Sequence, residues 1–249
     1  MENKIKIAWL EQSGQLQDRT TLRHQLNQAG VDFYRLNWRL RNDDPFANVH
    51  IHDNEHLSWS KGRERLYDAA RSNEYDYYIF VDDDLMLDRP IPNFIKRVKE
   101  VLISHRPCIL TVQGLDSWQE KYIKKTGSNL VSVFIVDLQF QCLGRKAANF
   151  AFPAKFDGGW GTLWYPMLFC NQKPGSVISI RDMQIKNISH AADGEYGGQE
   201  NKNTESIWRR SEPYMSRHAR IVSRAIGHRK TLLFLNYFYS RWVKLNNFR

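Results

Sequence analysis

Residues 77–81 read Tyr-Tyr-Ile-Phe-Val, a continuous apolar run that stops at Asp82-Asp83-Asp84. A strand that is apolar on both faces has to be covered on both faces. Parallel sheets layered between helices do this routinely. The chain around the run has the matching rhythm. Residues 4–10 (KIKIAWL) predict a strand. Residues 16–29 predict a helix, with Leu16, Leu22 and Leu26 on one side and Gly30 at its end. Residues 31–36 predict a second strand, 61–72 a helix, 91–104 a helix after Pro90, and 108–112 another strand. The polar stretch 41–58, with Asp43-Asp44-Pro45, predicts a loop. Strands alternating with helices predict an α/β fold, a mostly parallel sheet with helices on both faces.

The second half has a different texture. Residues 130–142 (LVSVFIVDLQFQC) are strand-like throughout, and an aromatic, glycine-rich stretch follows, containing Phe156–Gly161 (FDGGWG). Residues 177–180 and 183–188 predict two more strands, the second leading to His190. Residues 191–204 are a polar loop, and from 206 onward the spacing is helical. The expected division is a domain over 1–208 and a basic, aromatic helical extension over 209–249.

Charge supports that division. The net charge is +9, yet 209–249 holds ten Lys/Arg and one acid, Glu212, which leaves 26 basic and 26 acidic residues in 1–208. A neutral body with a basic aromatic tail points to an anionic partner, and the mixture with Leu, Phe, Tyr and Trp suits an anionic membrane surface. No nucleic-acid motif accompanies the charge, so no nucleic acid is expected. Cys108, Cys142 and Cys170 have neither metal-ligand spacing nor a disulfide pattern, and predict buried thiols in a reducing compartment. The N-terminus has neither a signal peptide nor a membrane anchor, which predicts a cytoplasmic protein, peripheral at a membrane through its tail. The run His50-Ile51-His52-Asp53-Asn54-Glu55-His56 lacks metal-ligand spacing and predicts a surface loop.

The aspartates need another explanation. Adjacent like charges repel, and ligands of open α/β sheets gather at the carboxyl ends of strands. Alternate residues of an extended segment point the same way, so Asp82 and Asp84 converge and Asp83 points elsewhere. Converging carboxylates become favourable around a hard divalent cation, Mn²⁺ or Mg²⁺, which completes its shell with phosphate oxygens and water. A helix cap with solvated charges accounts for one such Asp more readily than for three.

With the basic helix Lys61-Gly62-Arg63-Glu64-Arg65 before it and an α/β second half after it, Asp82-x-Asp84 resembles the D-x-D of the GT-A glycosyltransferases. The resemblance covers roughly residues 4–200. It implies a GT-A-like (Rossmann-like) fold and a metal-dependent transfer of sugar from a nucleotide-diphosphate donor, a UDP-sugar favoured. The acceptor implied is a saccharide, lipid-linked in keeping with the tail, in bacterial surface polysaccharide synthesis. By resemblance, Asp82, Asp84 and His190 hold the metal. Trp9, Glu11, Lys61, Arg63, Asp82, Asp83 and Lys202 attend the donor. Asp157 is the general base on the acceptor hydroxyl, and Trp160 stacks on the acceptor sugar. One departure stands out: relatives place the acid within or after a Gly-Trp-Gly turn, whereas Asp157 precedes it and Thr162-Leu163 follow. A helix-capping role therefore competes with the base role.

Two other classes fit parts of the pattern. A nucleotidyl- or phosphotransferase also pairs aspartates with a metal, but its glycine-rich phosphate loop is poorly matched by Glu11–Asp18 (EQSGQLQD). A non-enzymatic basic membrane- or nucleic-acid-binding protein would make the aspartates structural.

Overall fold

In the computed structural model, residues 5–52, 57–114, 129–132, 140–153 and 176–187 are described. Their strands are β1 (Ile7–Ser13), β2 (Val31–Asn37), β3 (Tyr77–Asp82), β4 (Leu85–Leu87), β5 (Ile109–Gly114), β6 (Leu130–Ser132), β7 (Phe140–Gly144) and β8 (Val177–Asn187). Their helices are α1 (Thr20–Gln28), α2 (Trp59–Ala70), α3 (Ile91–His105) and α4 (Arg145–Ala151). All eight strands join one sheet in the order β2-β1-β3-β7-β5-β8-β4, with β6 pairing β8. β1 is parallel to β2 and β3, β7 is antiparallel to β3 and β5, and β5 is parallel to β8. β4 and β6 run antiparallel to β8. Five strands thus share one direction in a mixed sheet, and the α/β expectation holds.

Alternation along the strands separates two cores. Ala8, Leu10, Tyr78 and Phe80 pack against Leu66, Tyr67 and Ala70 of α2 and Ala147, Ala148 and Ala151 of α4. Ile7, Trp9, Ile79 and Val81 pack against Leu26 of α1 and Phe94, Ile95, Val98, Val101 and Leu102 of α3. Both faces of β3 are therefore covered, as its continuous apolar run requires. Each fully buried large side chain contributes about 1.5–3 kcal/mol by leaving water, and Phe80 and Phe94 are both in that class.

Local chemistry sets the element ends. Ser58 caps α2, its side chain accepting from the Lys61 N–H at 3.3 Å. Pro92 lies in the first turn of α3, where the missing N–H costs nothing, and Arg106 closes that helix in the left-handed region.

Several elements differ from expectation. β1 starts and ends three residues later than 4–10, and α1 begins at Thr20 rather than at residue 16, leaving Leu16 exposed. The two described ends of the stretch 130–142 have different partners: β6 lies beside β8, whereas β7 sits between β3 and β5. An unbroken apolar segment carries no periodic mark of such a division. The strands expected at 177–180 and 183–188 are one strand, β8. The gap between them is a register shift, with Val112 opposite Ile180 and Gln113 opposite Gln184. β4 and α4 were not anticipated. The helical reading of 209–249 lies outside the described residues. Among the described residues no helix is long and apolar enough to cross a membrane.

Candidate functional site

β1 and β3 run side by side with Gln12 opposite Asp82, so both deliver polar residues to the same carboxyl edge of the sheet. The first turn of α2 sits over this edge. Gln12 is buried with its amide flat against Gly62, where a Cβ would come within 2.6 Å of Gln12 Oε1. Glycine is what allows this approach.

On the α2 face, Asp82 Oδ1 accepts two hydrogen bonds, from Arg63 Nη2 and from Trp59 Nε1, both at 3.3 Å. The Arg63 side chain is 1 % exposed. Its guanidinium lies 3.8 Å from the centre of the Trp59 ring, and Nη1 donates to Gln141 Oε1 at 3.4 Å. This is a buried cation stacked on an aromatic face and aimed at a carboxylate. Asp82 itself keeps 26 % of its side chain exposed, and among the described residues Oδ2 accepts no hydrogen bond. Burial raises the Asp82 pKa, Arg63 opposes that rise, and the negative charge of Asp84 adds to it. Asp84 is therefore close enough to be felt electrostatically. Its own side chain is nearly buried.

On the opposite face, Asp83 joins a different set. Its Oδ2 accepts from Ser13 Oγ at 2.5 Å and from the Gly14 N–H at 3.2 Å. Ser13 Oγ in turn accepts from Arg35 Nη2 at 2.9 Å. Arg35 is wholly buried, pairing with Glu11 through Nη1 and with Asp44 through Nε at 3.1 Å. Arg19 adds a second contact to Glu11 at 3.0 Å. Burial raises the Glu11 pKa, and Arg19 and Arg35 pull it back. At Asp44 burial also works upward, but hydrogen bonds from Asn37, the Phe46 N–H and Arg35 outweigh it and the net direction is down.

The residues expected at the donor site are therefore distributed as follows. Asp82 ends β3 and Asp84 lies in the turn after it, near enough for its charge to raise the Asp82 pKa. Arg63 lies behind Asp82 and faces inward, toward Asp82 and Gln141. Lys61 is partly exposed in the first turn of α2 and pairs with Glu64 at 2.9 Å. Glu11 is enclosed by two arginines. Trp9 packs edge-on against Phe140 in the core on the α1 and α3 face. Asp157, Trp160, His190 and Lys202 lie outside the described residues. Trp59, Gln12, Gln141, Ser13, Arg19 and Arg35 belong to the site and were not foreseen. One signal was present: Trp59 and Arg63 fall on the same helical stripe as Leu66, Tyr67 and Ala70, which faces the sheet.

β8 ends at Asn187, which pairs with Leu85, the residue after Asp84. The described part of that strand thus closes beside the aspartates. Among the described residues no three His, Cys, Asp or Glu side chains gather as a metal cluster, and His52 stands against Arg65. A separate concavity of about 880 Å³ opens at the other end of the parallel strands, near Lys6, Asp32, Tyr34 and Tyr75. Its tyrosine hydroxyls bond each other and Asp32, and it has no connection with the aspartate turn.

No protein-family model and no curated protein matches the sequence. Solved structures do match in fold. A mannosyltransferase from Pyrobaculum calidifontis, solved with GDP-Man and Mn²⁺, superposes with a TM-score of 0.55 at 10% identity, over 96% of this chain and 70% of that one. TarS from S. aureus gives 0.50 at 12% identity, over 98% and 54%. GalNAc-T7, solved with UDP, GalNAc and Mn²⁺, gives 0.50 at 11% identity, over 99% and 57%. The chain spans little more than half the length of the last two. Identities this low speak for the fold alone, and that fold is the GT-A fold of the nucleotide-diphospho-sugar transferases.

Proposed function

We propose that this chain is a metal-dependent glycosyltransferase, moving a sugar from a nucleotide-diphosphate donor, a UDP-sugar favoured, to a saccharide or lipid-linked acceptor. The observation that carries the reading is the state of Asp82. One carboxylate oxygen is fixed from inside by Arg63 and Trp59, and the other accepts nothing from the described residues. Such a carboxylate beside Asp84 offers hard oxygen donors in a fixed direction, a set that fits Mn²⁺ or Mg²⁺. Two protein ligands suffice for ions that keep several waters and take phosphate oxygens as well. The chemistry a bound cation supplies is neutralisation of the nucleoside diphosphate as it departs.

The chain's own residues have distinct tasks in this reading. Asp82 and Asp84 bind, and Arg63 and Trp59 hold Asp82 in its orientation. Lys61, at the positive end of α2, favours the anionic donor. His190 is proposed as a further ligand. Asp157 is proposed to take the acceptor proton, Trp160 to stack on the acceptor sugar, and Lys202 to meet the diphosphate.

The test is nucleotide release from a panel of UDP-, GDP-, dTDP- and CMP-sugars, with Mn²⁺ or with EDTA, and Mn²⁺-dependent nucleotide binding alongside. One donor should turn over with Mn²⁺ and not with EDTA. Asp84→Ala should lower that release by about 100-fold or more. Absence of both metal-dependent binding and release would overturn the reading.

A further inference from the structure

The three aspartates are not equivalent. Asp83 lies on the α1 and α3 side of the turn, where its carboxylate meets Ser13 and Gly14. All of its hydrogen bonds run to one short segment, residues 12–19. The backbone N–H donates to Gln12 O at 3.1 Å, and the backbone carbonyl accepts from Arg19 Nη2 at 2.7 Å. The carboxylate accepts from Ser13 Oγ and the Gly14 N–H.

We infer that Asp83 is a positioning residue: its carboxylate fastens the Asp82–Asp84 turn to the end of β1, fixes the separation of the two outer carboxylates, and binds neither metal nor nucleotide. The inference rests on the metal-binding reading of Asp82 and Asp84.

Two features make the fastening rigid. Ser13 has a single hydroxyl proton, and the 2.5 Å contact to a carboxylate is the strongest use of it. The same oxygen is held from behind by Arg35, which is locked between Glu11 and Asp44. Gly14 is pinned by Trp38: a Cβ there would come within 2.7 Å of the indole ring. The Gly14 N–H is thereby presented to Asp83 by a segment with little freedom to move. β4 secures the other side of the turn through its pairing with β8. Metal ligands need placement to about 0.5 Å, and a short turn between two strands supplies that only when its middle is tied down.

Charge separates the two roles. A ligand to a hard cation needs an anionic oxygen, whereas a fastener needs only an acceptor. Asparagine retains an acceptor oxygen in the same place. The experiment is Mn²⁺ titration of the full chain in the presence of UDP, followed by the electron paramagnetic resonance of free Mn²⁺. Asp83→Asn should bind within about threefold of wild type, whereas Asp84→Asn should lose about 100-fold or more. Asp83→Ala should weaken binding about tenfold and Ser13→Ala about fivefold. The double variant should be no more than about twofold worse than Asp83→Ala, because both remove one interaction. Loss in Asp83→Asn equal to that in Asp84→Asn would make Asp83 a ligand and overturn the inference. Independent, multiplying losses in Ser13→Ala and Asp83→Ala would also overturn it. If wild type binds no Mn²⁺, the metal reading falls and this inference with it. If wild type binds and Asp84→Asn does not, a wrong pattern at Asp83 sinks the inference alone.

Discussion

Among the described residues, each face of the sheet buries one arginine at the carboxyl edge. On the α1 and α3 face, Arg35 is closed off between Glu11 and Asp44, and its Nη2 donates to Ser13 Oγ and to the Gln15 carbonyl at 2.9 and 2.8 Å. On the α2 face, Arg63 meets neutral Gln141 and a single oxygen of Asp82, a carboxylate that still reaches solvent. The first arginine sits in a ring of charges that satisfy one another. The second backs a carboxylate whose outer oxygen is left for something else. The aspartate turn straddles the two, with Asp83 on the closed side and Asp82 on the open one.

The sharpest way to break this comparison is to remove each arginine in turn. Arg35→Met leaves Asp44 buried without its counter-charge and Glu11 with Arg19 alone. Removing one partner of a buried pair costs about 3–5 kcal/mol, and this variant should lose that much in urea unfolding. Arg63→Met exposes a smaller debt, since Asp82 can turn to water, and should lose less than half as much. Equal losses would mean that the two networks are alike and that the α2 face is also structural.

A second test uses pH on the closed side alone. The Asp44 pKa is lowered in the folded protein. A carboxylate of that kind stabilises the fold above its unfolded pKa, and the contribution disappears as pH falls through the folded value. Asp44→Asn should therefore be less stable than wild type at pH 7, by about 2 kcal/mol. The gap should narrow below about pH 4 as the wild-type group takes its proton. Urea midpoints of the two proteins from pH 7 to pH 3 measure it. A gap that stays constant down to pH 3 would show that the charge of Asp44 is not what Arg35 needs.

How much of this was legible beforehand depended on length and contrast. β3 and α3 were plain because each is long and its pattern unambiguous: an apolar run stopped by acids, and apolar residues spaced for one helical face. β4 is three residues inside an acidic stretch, and α4 buries only alanines, so neither writes a stripe. The division of 130–142 into β6 and β7 depends on pairing partners that local pattern does not encode. At the site, the aspartates announced themselves because three adjacent like charges have no use in packing. The direction of Arg63 was the harder inference. A basic helix suggests a solvated face, but at positions 59, 63, 66, 67 and 70 the periodicity already set Trp59 and Arg63 with the buried residues. The Glu11–Arg35 pair depends on β1–β2 register, which puts those two residues directly opposite each other. No reading of either strand alone contains that.

The smallest expected effect is the most discriminating. Trp59→Phe removes the Nε1–H donor to Asp82 Oδ1 and keeps an aromatic face under Arg63. Phe fills most of the same volume, so stability should fall by no more than about 1 kcal/mol. Arg63 should stay in place, because its contacts to Asp82 and Gln141 remain. Asp82 would then be held by one donor instead of two and would be freer to turn. Mn²⁺-dependent nucleotide release should drop about fivefold, more than so small a loss of stability explains, since the folded fraction stays near unity. Loss of stability with release unchanged would place Trp59 among the packing residues. Release reduced with stability unchanged would show that the orientation of one carboxylate oxygen, set from the buried side, is what the open half of the edge contributes.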